Sequence, residues 1–131
     1  MGCRILLAED DLANQVLAVA MLKKTGADIT TITDGRLALH AALAAHKEGK
    51  PFDVILMDIQ MPKMGGDEAT RTLRAEGYTN SIIALTAHAI EGDRQKYMEL
   101  GFDDYVTKPI NRKNLIRTIY QHWNGAEAAS T

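Results

Sequence analysis

The sequence is short of several things at once: it has one cysteine, three prolines, few aromatic residues and no strong excess of either charge among its 131 positions. Each shortage excludes something. A single thiol, Cys3, rules out an internal disulfide and a cysteine-built zinc site, and it points to a reducing, cytoplasmic setting. A net charge of −2 leaves no electrostatic footprint for nucleic acid. Apolar runs such as Val16–Leu22 fall far short of the roughly 20 residues that a membrane helix needs. No basic-then-apolar leader opens the chain. No repeat and no low-complexity tract is present. What remains is a composition of 46% hydrophobic and 24% charged residues, ordinary for one globular domain long enough to bury a core.

Five short β-type runs alternate with five helical ones. The strands are expected at Cys3–Ala8, Asp28–Thr33, Phe52–Met57, Ser81–Thr86 and Phe102–Thr107. The helices are expected at Leu12–Thr25, Gly35–Ala45, Asp67–Glu76, His88–Leu100 and Arg112–Trp123. Asp11, Asp34 and Asn111 stand where a side-chain oxygen would accept from free N–H groups at a helix start. Gly26, Gly77 and Gly101 stand where helices end. Apolar pairs at helical spacing, among them Leu12/Val16, Ala69/Leu73 and Leu115/Ile119, support the helices. Gly92 and a thin apolar stripe make the fourth helix the weakest. After Trp123 the small polar stretch 124–131 reads as a flexible tail, leaving 3–123 as the folded domain.

Strict alternation argues for a parallel sheet covered on both faces. "ILLA", "VILM" and "IIAL" are continuously apolar, as central strands must be. "ITTIT" and "FDDYVT" carry threonines and aspartates, as edges do. With right-handed crossovers, the order 2-1-3-4-5 satisfies both conditions. That is a flavodoxin-like (βα)5 three-layer α/β sandwich.

Sites in such sheets form beyond the carboxyl ends of the strands. There the first strand delivers Glu9, Asp10 and Asp11, the third Asp58, the fourth Thr86, and the fifth Lys108 followed by Pro109. Clustered carboxylates repel one another, and a divalent cation removes the penalty. Oxygen-only ligands select a hard ion such as Mg²⁺, with Asp10 and Asp58 as direct ligands and Glu9 acting through water; Mn²⁺ and Ca²⁺ suit the acidic cluster equally well. A lysine and a hydroxyl beside a metal site fit a phosphoryl group, whose oxygens they would share with the cation. Asp58 would be the nucleophile that forms an aspartyl-phosphate.

The motifs "ILLAEDD", "DVILMDIQMPKMGG", "IIALTAHA" and "DDYVTKPI", in this order and spacing, resemble a response-regulator receiver domain, the phospho-acceptor of two-component phosphorelay signalling. The likeness spans Arg4 to Trp123. "ILMDIQMP" and "IIALTAHAIEGD" are most similar to receivers of hybrid sensor histidine kinases. The resemblance implies Asp58 as the phosphorylated residue. It adds the backbone carbonyl of Gln60 as a third protein ligand to Mg²⁺, and Thr86 and Lys108 as partners of the phosphoryl oxygens. It also implies a cis peptide before Pro109 and Tyr105 as an aromatic switch. Gln60 and His88 lie where the family tunes phosphate lifetime. Glu9, Asp11 and Gly65 depart from the commoner Asp, Asn and Asp.

The implied donor or acceptor is a histidine kinase or a histidine phosphotransfer domain. The chain would be a monomer or weak dimer, either a stand-alone regulator or a piece of a hybrid kinase, the latter favoured by its motifs. It would promote its own phosphorylation and dephosphorylation without being a kinase. Two other readings fare worse. A haloacid-dehalogenase-like phosphatase carries its nucleophile after the first strand, whereas the best nucleophile here follows the third. A flavin module needs a donor-rich loop after the first strand, and this one is acidic.

Overall fold

The computed structural model describes residues 2–87 and 93–130, the backbone alone for 93 and 124–130. The strands are β1 (Arg4–Ala8), β2 (Asp28–Ile32), β3 (Val54–Asp58), β4 (Ser81–Thr86) and β5 (Asp104–Thr107). The helices are α1 (Leu12–Lys23), α2 (Gly35–Lys47), α3 (Gly66–Ala75), α4 (Asp93–Glu99) and α5 (Arg112–Ser130). The sheet is parallel, in the order β2-β1-β3-β4-β5 that strand polarity predicts.

Alternation of side chains along each strand splits the core in two. Leu6, Ile55, Met57, Ile82 and Ala84 face α2, α3 and α4, where they meet Ala38, Leu39, Ala69, Leu73 and Tyr97. Ile5, Leu7, Val54, Leu56, Ile83 and Leu85 face α1 and α5, where they meet Ala18, Leu22, Leu115 and Ile119. Every residue of β3 is buried, so the strand ends in a fixed carboxylate.

Helix starts follow the expected chemistry. Asp11 Oδ1 accepts from the Ala13 and Asn14 N–H groups, Asp34 Oδ1 from Leu37 and Asn111 Oδ1 from Asn114. Gly26, Gly77 and Gly101 have positive φ, as helix ends require.

Three features differ from the sequence reading. The pair Leu12/Val16 helps to form α1 but faces outward, 65% and 67% exposed, while Ala18 and Leu22 hold the helix to the sheet. Asp104, whose type suits the edge strand β5, is nevertheless buried; it pairs with His122 at 2.9 Å and Arg94 at 3.5 Å, as a buried carboxylate must. The backbone of α5 stays helical to Ser130, past Trp123, through a stretch in which Ala126, Glu127, Ala128 and Ala129 are good helix formers. No helix among the described residues is long and apolar enough to cross a membrane.

Cys3 is fully buried, and burial pushes its thiol up to about 12. A folded value above the ordinary 9.0 means stability that is complete below pH 9 and is lost as pH rises toward 12. In the folded protein at pH 8, iodoacetamide is expected to leave Cys3 unmodified over a period in which the urea-unfolded chain is fully alkylated. Intact-mass analysis reads the difference.

Candidate acceptor site

Each rim residue is placed by a local reason. β3 carries Asp58 to the carboxyl edge of the sheet, where the chain must turn. The turn docks back on itself: the Gly66 N–H donates to Ile59 O at 2.9 Å, which starts α3 directly behind Asp58. A Cβ on Gly66 would stand 2.2 Å from the Asp58 carbonyl oxygen, so only glycine permits this approach. β1 ends beside it with Glu9, whose N–H donates to Ile32 O across the β1–β2 ladder at 3.0 Å. β5 ends with Lys108, whose N–H donates to Thr86 O at 2.8 Å. The Lys108–Pro109 peptide is cis.

These strand ends bring the side chains together. Lys108 Nζ donates to Asp58 Oδ2 at 2.8 Å and stands 2.9 Å from Glu9 Oε2. The other Asp58 oxygen, Oδ1, accepts from the Gln60 N–H at 3.1 Å, and Glu9 Oε1 accepts from the Asp11 N–H at 3.1 Å. Asp58, Glu9 and Thr86 are buried, and Asp10 is exposed at the rim. Carboxylate oxygens of Glu9, Asp10 and Asp58 all lie within 4.8 Å of one another.

The electrostatics follow from burial and pairing. Burial raises the Glu9 carboxyl above its ordinary range, helped by the Asp58 charge and opposed by Lys108 and the Asp11 N–H. Burial works to lower the Lys108 ammonium, but its hydrogen bond to Asp58 and its close ion contact with Glu9 prevail and hold it above its usual value. The lysine is therefore a fixed positive charge at any physiological pH.

The residues fit a hard divalent cation. Three carboxylates converge, the donors are all oxygen, and the buried Glu9 Oε2 accepts no aligned hydrogen bond despite its close ion contact with Lys108. The surrounding cleft, about 470 Å³, is lined by Asp10, Asp58, Gln60, Thr86 and Lys108 among others. A larger groove of about 620 Å³ runs along α1 and β2, but it lacks such a convergence of charged groups.

The structure thus brings together Glu9, Asp10, Asp58, Gln60, Thr86 and Lys108. Tyr105 lies beside them on β5, half-buried, its ring 5.2 Å from that of Tyr97. His88 lies outside the described residues. The sequence reading missed Lys96, Tyr97 and Leu100, which α4 and the residue after it add to the cleft wall. No motif marks them; the one signal was a tyrosine in the thin apolar stripe of that helix.

Comparison with known proteins agrees with this geometry. Residues 5–120 match the model of the response regulator receiver domain. Hybrid signal transduction histidine kinase I of Dictyostelium discoideum is 48% identical over 88% of this chain, which spans only 7% of that relative. The receiver domain of sensor histidine kinase PA1611 from Pseudomonas aeruginosa PAO1, with a magnesium ion in its active site cleft, is 40% identical. Its TM-score is 0.80 over 95% of this chain and 99% of that one. The receiver domain of Ssk1 from Saccharomyces cerevisiae, crystallised with the histidine phosphotransfer protein Ypd1, gives a TM-score of 0.82 at 28% identity, covering 93% of this chain and 89% of that one. The chain belongs to the response regulator receiver domain family of two-component signalling.

Proposed function

We propose that the domain accepts a phosphoryl group on Asp58 from a phosphohistidine and changes its protein contacts as a result. One observation carries this reading. A buried carboxylate ends a central strand with an ammonium at 2.8 Å and two further carboxylates within 4.8 Å. That arrangement prepares one oxygen nucleophile between a positive charge and a cation site.

In the proposed step an Asp58 oxygen attacks phosphorus. A P–O bond forms, the P–N bond of the phosphohistidine breaks, and the imidazole leaves as it takes up a proton. Asp10, Asp58 and the Gln60 carbonyl would hold Mg²⁺, with Glu9 acting through water. When bound, the ion neutralises charge on the entering phosphoryl oxygens. Lys108 keeps its positive charge and passes from the carboxylate to a phosphoryl oxygen, and the Thr86 hydroxyl donates to another. The product adds roughly two negative charges to the cleft. Drawing Thr86 and Lys108 toward them biases β4, β5 and α4, and Tyr105 follows. Gln60 and His88 would set how long the phosphate persists.

The donor is proposed to be a histidine kinase or a histidine phosphotransfer domain in the cytoplasm. The relatives' architecture supports a place within a hybrid histidine kinase. The exposed Leu12 and Val16, one turn apart on the helix that Asp11 caps at the cleft rim, offer an apolar surface for a protein donor.

Incubation with acetyl phosphate and Mg²⁺ is expected to add one phosphoryl mass, and an unmodified wild-type protein would overturn the reading. Changing Leu12 and Val16 together to serine is expected to slow transfer from a phosphohistidine protein about tenfold. The rate with acetyl phosphate should stay the same. Radiolabel transfer measures the first rate and intact mass the second.

A further inference from the structure

The constellation of Glu9, Asp10, Asp58, Thr86 and Lys108 leaves out one buried hydroxyl that touches it. Tyr97, on α4, is 8% exposed, and its hydroxyl donates to Thr86 Oγ1 at 3.2 Å in buried surroundings. Its ring lies 5.2 Å from the Tyr105 ring at an angle of 44°, and 6.3 Å from Phe102, nearly perpendicular. Tyr97 therefore joins the two groups assigned to the switch, one through its hydroxyl and one through its ring. It also walls the acceptor cleft.

We propose that Tyr97 is a positioning residue: it tethers α4 to Thr86 in the unmodified domain and sets how readily Thr86 turns to a phosphoryl group. The inference rests on Asp58 as the acceptor. A hydrogen bond between buried hydroxyls stabilises the arrangement that contains it, because water is not there to replace it. Thr86 gives up that arrangement when it takes a stronger, charge-assisted bond to a phosphoryl oxygen. Release of the Tyr97 hydroxyl frees α4, and the ring contact carries the change to Tyr105. The tether opposes activation by as much free energy as the Tyr97–Thr86 bond contributes to the unmodified state alone.

Tyr97→Phe removes the bond and keeps the ring. Titration calorimetry with beryllofluoride and Mg²⁺, a mimic of the bound phosphoryl group, is expected to show about fivefold tighter binding than wild type. In a Thr86→Val background the same substitution should leave the affinity unchanged, since the bond is already absent. Amide exchange in α4 of the free protein should quicken in Tyr97→Phe but not when added to Thr86→Val. Unchanged or weaker mimic binding in Tyr97→Phe overturns the proposal. So does an equal gain in the Thr86→Val background, which would show an effect that bypasses Thr86. If wild type binds no mimic, the acceptor reading fails, and the tether is judged on α4 exchange alone, where unchanged protection overturns it.

Discussion

Asp58→Asn is expected to reduce phosphoryl incorporation to background while the fold persists. The amide has nearly the shape of the carboxylate, and its oxygen still accepts from the Gln60 N–H or from Lys108, the two partners that Asp58 holds at 3.1 and 2.8 Å. What it lacks is a nucleophilic lone pair on a charged oxygen. No neighbouring carboxylate should substitute. Glu9 is buried, its carboxyl raised by burial and held against Lys108. Asp10 lies at the exposed rim. The substitution also removes one of three carboxylates from the proposed cation site. In wild type, Mg²⁺ at ten times its dissociation constant should add about 1.4 kcal/mol of stability, and most of that should vanish in the variant. Intact mass after acetyl phosphate treatment reads the first effect, and thermal melts with and without Mg²⁺ read the second. An undiminished adduct on Asp58→Asn would place the acceptor elsewhere.

Gly66→Ala is expected to cost about 3 kcal/mol of stability and to slow phosphorylation further than the loss of folded protein explains. The added Cβ would meet the Asp58 carbonyl oxygen at 2.2 Å, its carbonyl carbon at 2.9 Å and Met57 Cγ at 2.8 Å. Two of these neighbours are backbone of a fully buried central strand, which has no room to yield. Relief comes only by lifting α3 off the strand end or by tilting the Asp58 peptide, and either moves the proposed acceptor. Gly65→Ala is the control. There the nearest atom is the flexible Asp67 carboxylate at 2.7 Å, and the Ile59 carbonyl stands off at 3.1 Å. A cost under about 1 kcal/mol is expected at that position. Urea melts compare the two variants, and phosphorylation rates in the folded baseline test the displacement of Asp58. Equal, small costs would show that the α3 docking is soft.

The sequence by itself determined the order of elements, the strand order, the helix caps and the residues at the rim. The reason is that these rest on local chemistry. Strands buried on both faces must be apolar throughout, as Val54–Met57 are. Aspartate or asparagine accepts from free N–H groups at a helix start, as Asp11, Asp34 and Asn111 do. A parallel sheet then carries the last residue of each strand, or the one after it, to the same edge, which is why Glu9, Asp58, Thr86 and Lys108 group together on sequence alone.

Tertiary structure alone decided what depends on which face of an element meets a neighbour. Helical spacing marked Leu12 and Val16 as apolar, but only the packing of Ala18 and Leu22 against the sheet turned that pair outward. The aspartates of "FDDYVT" marked an edge strand, but only the fold brings His122 and Arg94 from other elements to Asp104 and permits its burial. The close approach of Gly66 to Asp58 depends on backbone docking that no pattern of side chains encodes. No motif marked Tyr97, a largely buried ring on α4. Its hydroxyl meets Thr86 only because α4 lies against the end of β4. Which face each element turns to its neighbours is set by the fit of the whole core, and the local sequence around Gly66, Tyr97 or Asp104 does not specify it.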